Sequence, residues 1–272
     1  MVDVSVISTV YNGAKHFSRI TPSILGQTFG DFEWVIVDDG SDDSTPDLLT
    51  KLARQDSRIV VVSPGRIGRS TALNHAVEAA RGAYIVQQDF DDLSYAGRVG
   101  RQVQYLLDHP EIGLLGSHYI LVDEIRGERY VRRPPVEHEA IVRAMASNIP
   151  FAHTMVAFRK DAWHQAGKYP SAEALIDFRL FIEIARCGWK LGNLPEILGE
   201  HFVYSQSYWH RNYRYTQKQR ELAGLQLHAI RTLGMPWWTI AYPAGRLIYQ
   251  HLPASGKRIV RRRLAGSNEQ DL

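Results

Sequence analysis

Three carboxylates follow directly after a short apolar run in segment 83–92, which reads Ala-Tyr-Ile-Val-Gln-Gln-Asp-Phe-Asp-Asp. In an extended segment alternate side chains lie on one side, so Asp89 and Asp91 can face a single cation while Phe90 packs inward. Two carboxylates leave coordination positions open on a hard divalent cation, as required when the ion also holds substrate phosphates. The segment therefore indicates a metal site for a diphosphate, and an acidic turn in solvent is the alternative.

The composition is that of an ordinary globular protein. The 272 residues are 44% hydrophobic and 22% charged, which suffices for one large domain or a domain with an appendage. The net charge is only +3, so no protein-wide field favours nucleic acid as a partner. The single cysteine, Cys187, excludes an intramolecular disulfide and a multi-cysteine zinc site, in agreement with a cytoplasmic location.

Hydropathy indicates neither an export signal nor a transmembrane helix. Asp3 and Ser5 interrupt the N-terminal segment, where a signal peptide would be apolar. The longest nearly uncharged aromatic stretch, 235–245, is well short of the roughly 20 residues that a spanning helix needs. These observations favour a protein that does not cross a membrane.

Strands and helices are predicted to alternate in the first part of the chain. Runs rich in β-branched residues occur at 4–8, 34–37, 59–62 and 84–86, separated by stretches with helical spacing at 15–27, 46–55 and 71–80. This alternation predicts an α/β fold with a parallel sheet flanked by helices. Gly82 is expected to end the third helix as its C-cap.

Polar residues follow three of these strands at the point where each strand ends. They are Thr9, Tyr11 and Asn12 after the first strand, Asp38 and Asp39 after the second, and Asp89 and Asp91 after the fourth. Ligands of such sheets bind outside the carboxyl ends of the strands. We therefore expect these side chains to form one site.

The second half of the chain is less regular. The patterns predict helices at 98–108 and 177–187, and strands near 112–115 and 152–158. A candidate boundary lies near 204–213, before a helical stretch at 216–233.

Five motifs in register resemble those of the family-2 glycosyltransferases with a GT-A fold. They lie at 4–12, 37–43, 68–74, 82–85 and 89–91, and the resemblance extends over residues 3–205. It implies a Rossmann-like, mostly parallel sheet with flanking helices, and an inverting transfer from a nucleotide diphosphate sugar, with a UDP-sugar expected. It also implies Mn²⁺ or Mg²⁺ as cofactor, bound by Asp89 and Asp91.

This resemblance suggests a division of the chain. Residues 1–205 would form the GT-A catalytic domain, with a nucleotide-binding half at 1–95 and an acceptor half at 96–205. Residues 206–272 would form a helical C-terminal extension.

The nucleotide-binding residues are predicted from their chemistry and their place in the motifs. A carboxylate can accept a hydrogen bond from the imide N–H of uracil or thymine, and Asp39 is assigned that role. Its alternative role is to cap the acidic turn. Tyr11 packs on the base or belongs to the core, and Thr9 and Asn12 bond the nucleotide or close their loop. Asp89 is expected to contact the nucleotide as well as the metal.

The segment 65–70 lacks both the Lys-Ser/Thr ending of a phosphate-binding Walker loop and the dinucleotide-binding glycine pattern. Neither an ATPase nor an NAD enzyme is indicated. Arg66 and Arg69 can still contact nucleotide phosphates, because a guanidinium suits bidentate contacts. An exposed loop arginine is the alternative for each.

The resemblance places the catalytic base at Asp177, at the start of a helix and followed by Phe178, Arg179 and Leu180. Ile176 stands where the family has a preceding acid. Glu173 and Glu183 are lesser alternatives, and Asp177 could also cap the helix. His201 is predicted as a further metal ligand or diphosphate contact, and His153 also matches a position near the active site.

The C-terminal part combines aromatic residues at 237–249 with a basic cluster at 257–263. This mixture favours contact with an anionic membrane surface, where a lipid-linked glycan acceptor would be found. Packing on the catalytic domain or on a second subunit, in a homo-oligomer, is the alternative. Location at the inner face of the membrane would follow from the first interpretation.

Two other functions fit parts of the pattern. A sugar nucleotidyltransferase shares the architecture, but the glycine-rich basic loop expected after its first strand is missing at 9–13. A catalytically silent nucleotide-binding or scaffold protein is suggested by Ile176 and would bind nucleotide and metal without turnover.

Overall fold

The computed structural model describes residues 3–171, 174–205 and 215–252. The alternative base Glu173 and the basic cluster at 257–263 lie outside the described residues. The strands are β1 Val4–Val10, β2 Glu33–Asp38, β3 Ile59–Val62, β4 Tyr84–Gln87, β5 Leu93–Ser94, β6 Ile112–Asp123, β7 Glu128–Arg132, β8 Ala157–Arg159 and β9 Lys190–Val203.

Helices lie on both faces of the sheet that these strands form. They are α1 Phe17–Leu25, α2 Thr45–Gln55, α3 Arg69–Ala79, α4 Arg98–Asp108, α5 His138–Met145, α6 Lys160–Gln165, α7 Ile176–Arg186, α8 Tyr215–Thr232 and α9 Ala241–Tyr249. Short 3₁₀ helices occur at Ala14–His16, His153–Met155 and Trp237–Ile240.

The described strands form one nine-stranded sheet in the order β3-β2-β1-β4-β8-β6-β9-β5, with β7 paired to β6. Strands β1 to β4 are parallel to their neighbours among these four. The sequence pattern therefore predicted this part correctly. Because parallel strands are covered on both faces, β2 is buried along its whole length, and its side chains divide between two hydrophobic cores.

The other half of the sheet is mixed. Strands β8 and β6 run antiparallel to their neighbours β4 and β8, whereas β9 is parallel to β6. The prediction of one strand at 152–158 was wrong, because the 3₁₀ helix His153–Met155 precedes the three-residue strand β8. His153 and Thr154 turn their polar groups toward the carboxyl end of β4 instead of joining the ladder.

The prediction for Gly82 was also wrong. Helix α3 ends at Ala79, and Ala80 is its C-cap in an extended conformation. The Gly82 N–H instead donates to Ser5 Oγ at 2.9 Å. A Cβ at Gly82 would lie 2.7 Å from the backbone of Val4 and Ser5, so only glycine permits this close approach to β1.

The C-terminal helices pack on the rest of the structure. Ala229 of α8 is buried in the core that contains Phe181 of α7. His228 of α8 also lies 2.8 Å from Glu183 of α7, between Nε2 and Oε1. No helix among the described residues combines the length and the hydropathy needed to cross a bilayer.

Candidate active site

Backbone hydrogen bonds hold the ends of β1, β2 and β4 together at one edge of the sheet. The Asp39 N–H donates to Val10 O at 2.8 Å, and the Gln88 N–H donates to Ile7 O at 2.9 Å. The carboxyl ends of parallel strands meet at the same edge, and ligands of α/β sheets bind there. The loops that contain the predicted nucleotide and metal residues therefore adjoin each other.

Asp39 lies beneath the loop that leads into α3, and its side chain is only 5% exposed. Its Oδ1 accepts hydrogen bonds from the backbone N–H groups of Ile67 at 2.7 Å and Gly68 at 2.9 Å. Its Oδ2 pairs with the Arg66 guanidinium. Arg66 also stacks over Tyr11, with its Cζ 3.8 Å from the ring centroid. Asp39, Arg66 and Tyr11 thus form one surface at the end of β1 and β2.

Asn12 closes the loop between β1 and the first 3₁₀ helix. Its backbone has a left-handed φ of 54°, a conformation that asparagine tolerates. The side chain exchanges two hydrogen bonds with Asp42, at 2.6 and 3.0 Å. Asp38 accepts a bond from the Ser41 N–H at 3.0 Å and so caps the acidic turn. Thr9 is half-buried at the end of β1.

Asp89 contacts three polar side chains of the site. Its Oδ1 accepts from Gln87 Nε2 at 3.0 Å and lies 3.1 Å from His153 Nδ1, while Oδ2 lies 3.6 Å from the Arg69 guanidinium. Burial opposes its ionisation, but His153, Arg69 and His201 lower the pKa of Asp89 far below its usual range. The carboxylate is therefore anionic at neutral pH.

His153 connects Asp89 to Tyr169. Its Nε2 lies 3.1 Å from the Tyr169 hydroxyl, which would donate to it while Nδ1–H donates to Asp89. Burial, and then Asp177 and Asp89, raise the pKa of Tyr169 above its usual range, so the phenol keeps its proton. Asn74 of α3 fixes Tyr169 through two 2.9 Å hydrogen bonds to its backbone.

Asp91 lies two residues from Asp89 and faces β9. Its Oδ2 accepts from the Tyr204 hydroxyl, and its backbone carbonyl accepts from the Arg19 guanidinium. Burial and the Asp91 charge raise the pKa of Tyr204, which keeps the phenol protonated as the donor of this bond. The Asp91 side chain is partly open to solvent.

Asp92 is fully buried and bonds to β9. It accepts from the Phe202 N–H at 2.7 Å and pairs with His201 Nδ1 at 3.0 Å. Burial lowers the pKa of His201, but Asp92 outweighs this and raises it to about 9. At neutral pH His201 is therefore protonated on both ring nitrogens, so Nε2 can donate a hydrogen bond but cannot bind a metal in this state.

A buried arginine supports the acidic loop from below. Arg98, at the start of α4, has no exposed surface. Its guanidinium donates to five oxygens, namely Gln102 Oε1, Gln88 Oε1, Ser94 Oγ, Gln87 O and Val156 O, at 2.8 to 3.3 Å. Burial lowers the pKa of Arg98 to about 9, against the effect of Asp92 and Asp89, so the guanidinium remains charged. It fixes the turn from β4 into the three carboxylates.

Asp177 approaches the same cluster from α7. Helix α7 begins at Ile176, and its N-cap is Leu175 rather than Asp177, so the N-capping alternative was wrong. Leu175 has a left-handed φ of 51°, a strained conformation for leucine that turns the chain into the helix. Asp177 accepts no hydrogen bond from another side chain within the described residues.

Arg69 interacts electrostatically with both acidic groups, Asp89 and Asp177. Burial lowers the pKa of Arg69, but the carboxylates of Asp89 and then Asp177 raise it by more. One guanidinium therefore interacts with the proposed metal carboxylate and with the proposed base. The alternative base Glu183 is instead engaged by Arg186 at 2.5 Å and by His228 at the contact with α8.

The residues present are compatible with a divalent cation that also binds substrate. No group of three or more His, Cys, Asp or Glu side chains in the described part of the chain is arranged to hold a metal by itself. Asp89 and Asp91 nevertheless provide two hard oxygen ligands in adjacent positions. Mg²⁺-type ions in phosphate-binding sites are held by one or two carboxylates, with phosphates and water completing the shell.

Sequence patterns did not indicate several residues of this site. Tyr169 is placed by Asn74, which is 95 positions away in the chain, and no local signal marks it. Arg98 and Arg19 resemble ordinary exposed arginines in the sequence. Tyr204 stands next to a cluster of polar and aromatic residues that indicated only a domain boundary.

Comparison with known proteins gives a consistent result. A family model described as glycosyl transferase family 2 matches residues 5–166. EpsE of Bacillus subtilis (strain 168) is 30% identical over 259 residues, which are 93% of this chain and 90% of EpsE. The amylovoran biosynthesis glycosyltransferase AmsE of Erwinia amylovora is 30% identical over 71% of this chain and 74% of AmsE.

Two solved structures share the fold. The mannosyltransferase PcManGT from Pyrobaculum calidifontis, in complex with GDP-Man and Mn²⁺, has a TM-score of 0.63 and 21% identity, over 98% of this chain and 81% of PcManGT. TarS 1–349 of S. aureus, in complex with UDP-GlcNAc, has a TM-score of 0.65 and 16% identity, over 94% of this chain and 77% of TarS. The predicted GT-A fold with a helical C-terminal part is thereby confirmed.

Proposed function

The chain belongs to glycosyl transferase family 2, and from this premise we propose a metal-dependent, inverting transfer of a sugar from a nucleotide diphosphate donor. The observation that supports this most directly is the position of Arg69. Its guanidinium lies 3.6 Å from Asp89 and interacts electrostatically with Asp177. The leaving diphosphate and the acceptor hydroxyl that loses its proton would meet beside this guanidinium.

Donor recognition is assigned to the ends of β1 and β2. We assign the imide N–H of uracil to Asp39 Oδ2. This contact requires that Arg66, which now pairs with Oδ2 and is 52% exposed, moves aside. Tyr11, 47% exposed, offers its ring to the base, while Thr9 and Asn12 shape the loop around it. A UDP-sugar is the proposed donor, and the UDP-GlcNAc complex of TarS is consistent with it.

The metal would be Mn²⁺ or Mg²⁺, held by Asp89 and Asp91 together with the donor's phosphates. His201, whose pKa of about 9 keeps it protonated at neutral pH, is assigned to the diphosphate rather than to the metal. When bound, the ion would neutralise the charge that develops on the leaving diphosphate. Arg69 adds a fixed positive charge beside Asp89 and is proposed to contact the phosphates. The GDP-Man and Mn²⁺ complex of PcManGT supports the choice of cation.

Asp177 is the proposed general base. The acceptor oxygen would attack the anomeric carbon and pass its proton to the Asp177 carboxylate. The bond between that carbon and the diphosphate oxygen would break, and its electron pair would leave with the nucleotide. Attack from the side opposite the leaving group inverts the anomeric centre. Within the described residues no side-chain hydrogen bond occupies the Asp177 carboxylate, so an acceptor hydroxyl can reach its oxygens.

The acceptor is proposed to be a glycan or a lipid-linked glycan at the cytoplasmic face of a membrane. The relative AmsE is named for amylovoran biosynthesis, which supports a polysaccharide product. In this proposal residues 1–95 bind the donor, 96–205 bind the acceptor, and 206–272 form the C-terminal extension.

The direct test is calorimetric binding of UDP, GDP and dTDP, with and without Mn²⁺. The full-length protein would be compared with Asp91→Ala and with Asp31→Ala, an exposed aspartate outside the site. We expect Mn²⁺-dependent binding of UDP that is lost in Asp91→Ala and kept in Asp31→Ala.

Absence of binding for all three nucleotides, with and without Mn²⁺, would contradict the proposal. Normal nucleotide and metal binding without turnover of any UDP-sugar would instead favour the silent nucleotide-binding protein suggested by Ile176.

A further inference from the structure

The C-terminal helical part exposes a group of large apolar side chains. Trp237, Trp238, Ile240, Tyr242 and Ile248, here called the aromatic patch, are 82%, 54%, 43%, 50% and 66% exposed. They lie in the 3₁₀ helix Trp237–Ile240 and in α9. Elsewhere in the described residues, Tyr11, Leu107 and Ile125 are the other large hydrophobic residues exposed to this degree, and they are far apart in the sequence. The patch is therefore a concentrated apolar surface.

Helix α9 has the reverse of the polarity expected of a surface helix. Its exposed positions are Ala241, Tyr242, Ala244, Gly245 and Ile248, and none is charged. Its one charged residue, Arg246, turns inward and donates to Gln226 at 3.1 Å, Gln219 at 2.8 Å and Ser147 O at 2.8 Å. A helix on a water-exposed surface normally buries its apolar face and exposes its charges. The outward face of α9 thus suits an apolar environment.

Positive charge follows this patch in the sequence. The basic cluster consists of Lys257, Arg258, Arg261, Arg262 and Arg263 and lies beyond the described residues. Tryptophan and tyrosine settle at the headgroup level of a bilayer, and neighbouring cations add attraction to anionic lipids. An uncharged aromatic surface followed by five cations has the composition of a membrane-surface anchor.

We propose that the aromatic patch binds the surface of a bilayer that contains anionic lipid. A second copy of the chain is the alternative occupant. The five cations that follow the patch in the sequence favour an anionic surface over another copy of the same basic chain. Binding to the bilayer does not depend on the proposed function. Only its purpose does, since the bilayer would present the lipid-linked acceptor.

The test is co-sedimentation of the full-length protein with phosphatidylcholine vesicles, with and without phosphatidylglycerol, and with neither donor nor acceptor present. We expect binding to the anionic vesicles, weakened by high salt because surface charges are screened. The double variant Trp237→Ser, Trp238→Ser should bind at least about tenfold less, because two large apolar side chains no longer leave water.

The matched control is the double variant Leu107→Ser, Ile125→Ser. These side chains are 52% and 51% exposed and lie outside the patch, so their replacement should not change vesicle binding. Replacing Arg261, Arg262 and Arg263 with serine should reduce the preference for anionic over neutral vesicles.

Three results would overturn the proposal. The wild type could fail to bind anionic vesicles, or the tryptophan variant could bind them as well as the control. The wild type could also be a dimer that the tryptophan variant dissociates, without vesicle binding, and the patch would then be a subunit interface. Calorimetry of UDP on the same preparations separates the two proposals, because vesicle binding without nucleotide binding would contradict only the glycosyl transfer.

Discussion

At the amino ends of the parallel strands one buried carboxylate has a full set of donors, whereas several carboxylates are gathered at the carboxyl ends. Glu33, at the start of β2, is 2% exposed and accepts from Ser5 Oγ at 2.7 Å. It also accepts from the Arg81 backbone N–H at 2.6 Å and from Arg81 Nε at 2.8 Å. Here a single negative charge is balanced by donors that lie in place.

The carboxyl ends bring Asp39, Asp89, Asp91 and Asp92 to one edge, and Asp177 joins them from α7. Burial, and then Asp91 and Asp89, raise the pKa of Asp92 to about 6, against the opposing effect of His201. Carboxylates that repel one another in this way reduce the stability of the fold unless a cation is supplied.

The difference indicates that the two ends of the strands serve different purposes. Glu33 at the amino end stabilises the fold, whereas Asp92 at the carboxyl end, whose pKa is raised, is buried at some expense in stability. We propose that Asp89 and Asp91 beside it serve ligand and metal. Sites built for function commonly show this conflict. Replacing a carboxylate at the amino ends should therefore lower stability and leave ligand binding intact. Replacing one at the carboxyl ends should lower ligand binding and leave stability nearly unchanged.

The largest effect is expected for Asp177→Asn. Removing a general base lowers turnover by about 10² to 10⁴-fold. Nucleotide affinity should stay unchanged, because in the proposed mechanism Asp177 acts on the acceptor hydroxyl and is not a donor contact. The measurement is the rate of UDP release from the donor sugar, together with calorimetry of UDP and Mn²⁺. Asp161→Asn is the control, since Asp161 occupies the first turn of α6 and is exposed. Equal rates in the two variants would remove Asp177 from the mechanism.

Arg98→Met should cause the largest loss of stability. Five oxygens that now accept from the guanidinium would lose their donor inside the protein, and breaking such a buried network costs about 3–5 kcal/mol. Urea unfolding would measure the change in the free energy of unfolding. Arg101→Met, on the same helix but with an exposed pair to Glu196, should leave it unaltered. A small effect at Arg98 would mean that the acidic loop does not depend on this cation.

Glu33→Gln should show a pH-dependent loss of stability. Burial opposes ionisation of Glu33, but Ser5 and Arg81 bring its pKa below the ordinary value of 4.5. A carboxylate whose pKa is lower in the folded than in the unfolded protein stabilises the fold fully above its unfolded pKa. This stabilisation is lost as the pH falls through the folded pKa. At neutral pH the variant should be less stable by about 1–2 kcal/mol.

Urea unfolding of wild type and Glu33→Gln across a pH series provides the measurement. The difference between the two proteins should shrink below pH 4.5. A difference that is constant with pH would show that packing, and not the charge of Glu33, explains the loss.

Much of this architecture could be predicted from the sequence, because local signals specify it. Strands β1 to β4 are short β-branched runs between turn residues, and helix α4 was predicted with its observed bounds at 98–108. The later half was predicted less well. Strand β6 extends to Asp123, although only 112–115 was expected, because Gly116, Ser117 and His118 break the apolar pattern inside it.

The site shows the same division between local and distant signals. Asp89, Asp91 and Asp177 stand in recognisable motifs, and the structure brings the loops that contain them to one edge. The contact of Tyr169 with His153 depends on Asn74, which is distant in the sequence and holds the Tyr169 backbone. The contact of Tyr204 with Asp91 depends on where β9 ends. Contacts between residues so far apart in the chain leave no periodicity that a sequence pattern could reveal.

The most direct test of the central claim combines stability and binding in one variant, Asp91→Asn. This substitution removes one negative charge from the sheet edge at which several carboxylates lie. Among the described residues, Tyr204 is the one side-chain hydrogen-bond donor to Asp91. We predict that the free energy of unfolding without metal stays within about 0.5 kcal/mol of wild type or rises, while Mn²⁺-dependent UDP binding is lost. A marked loss of stability with UDP and Mn²⁺ binding intact would contradict the account, because Asp91 would then be structural in the way that Glu33 is.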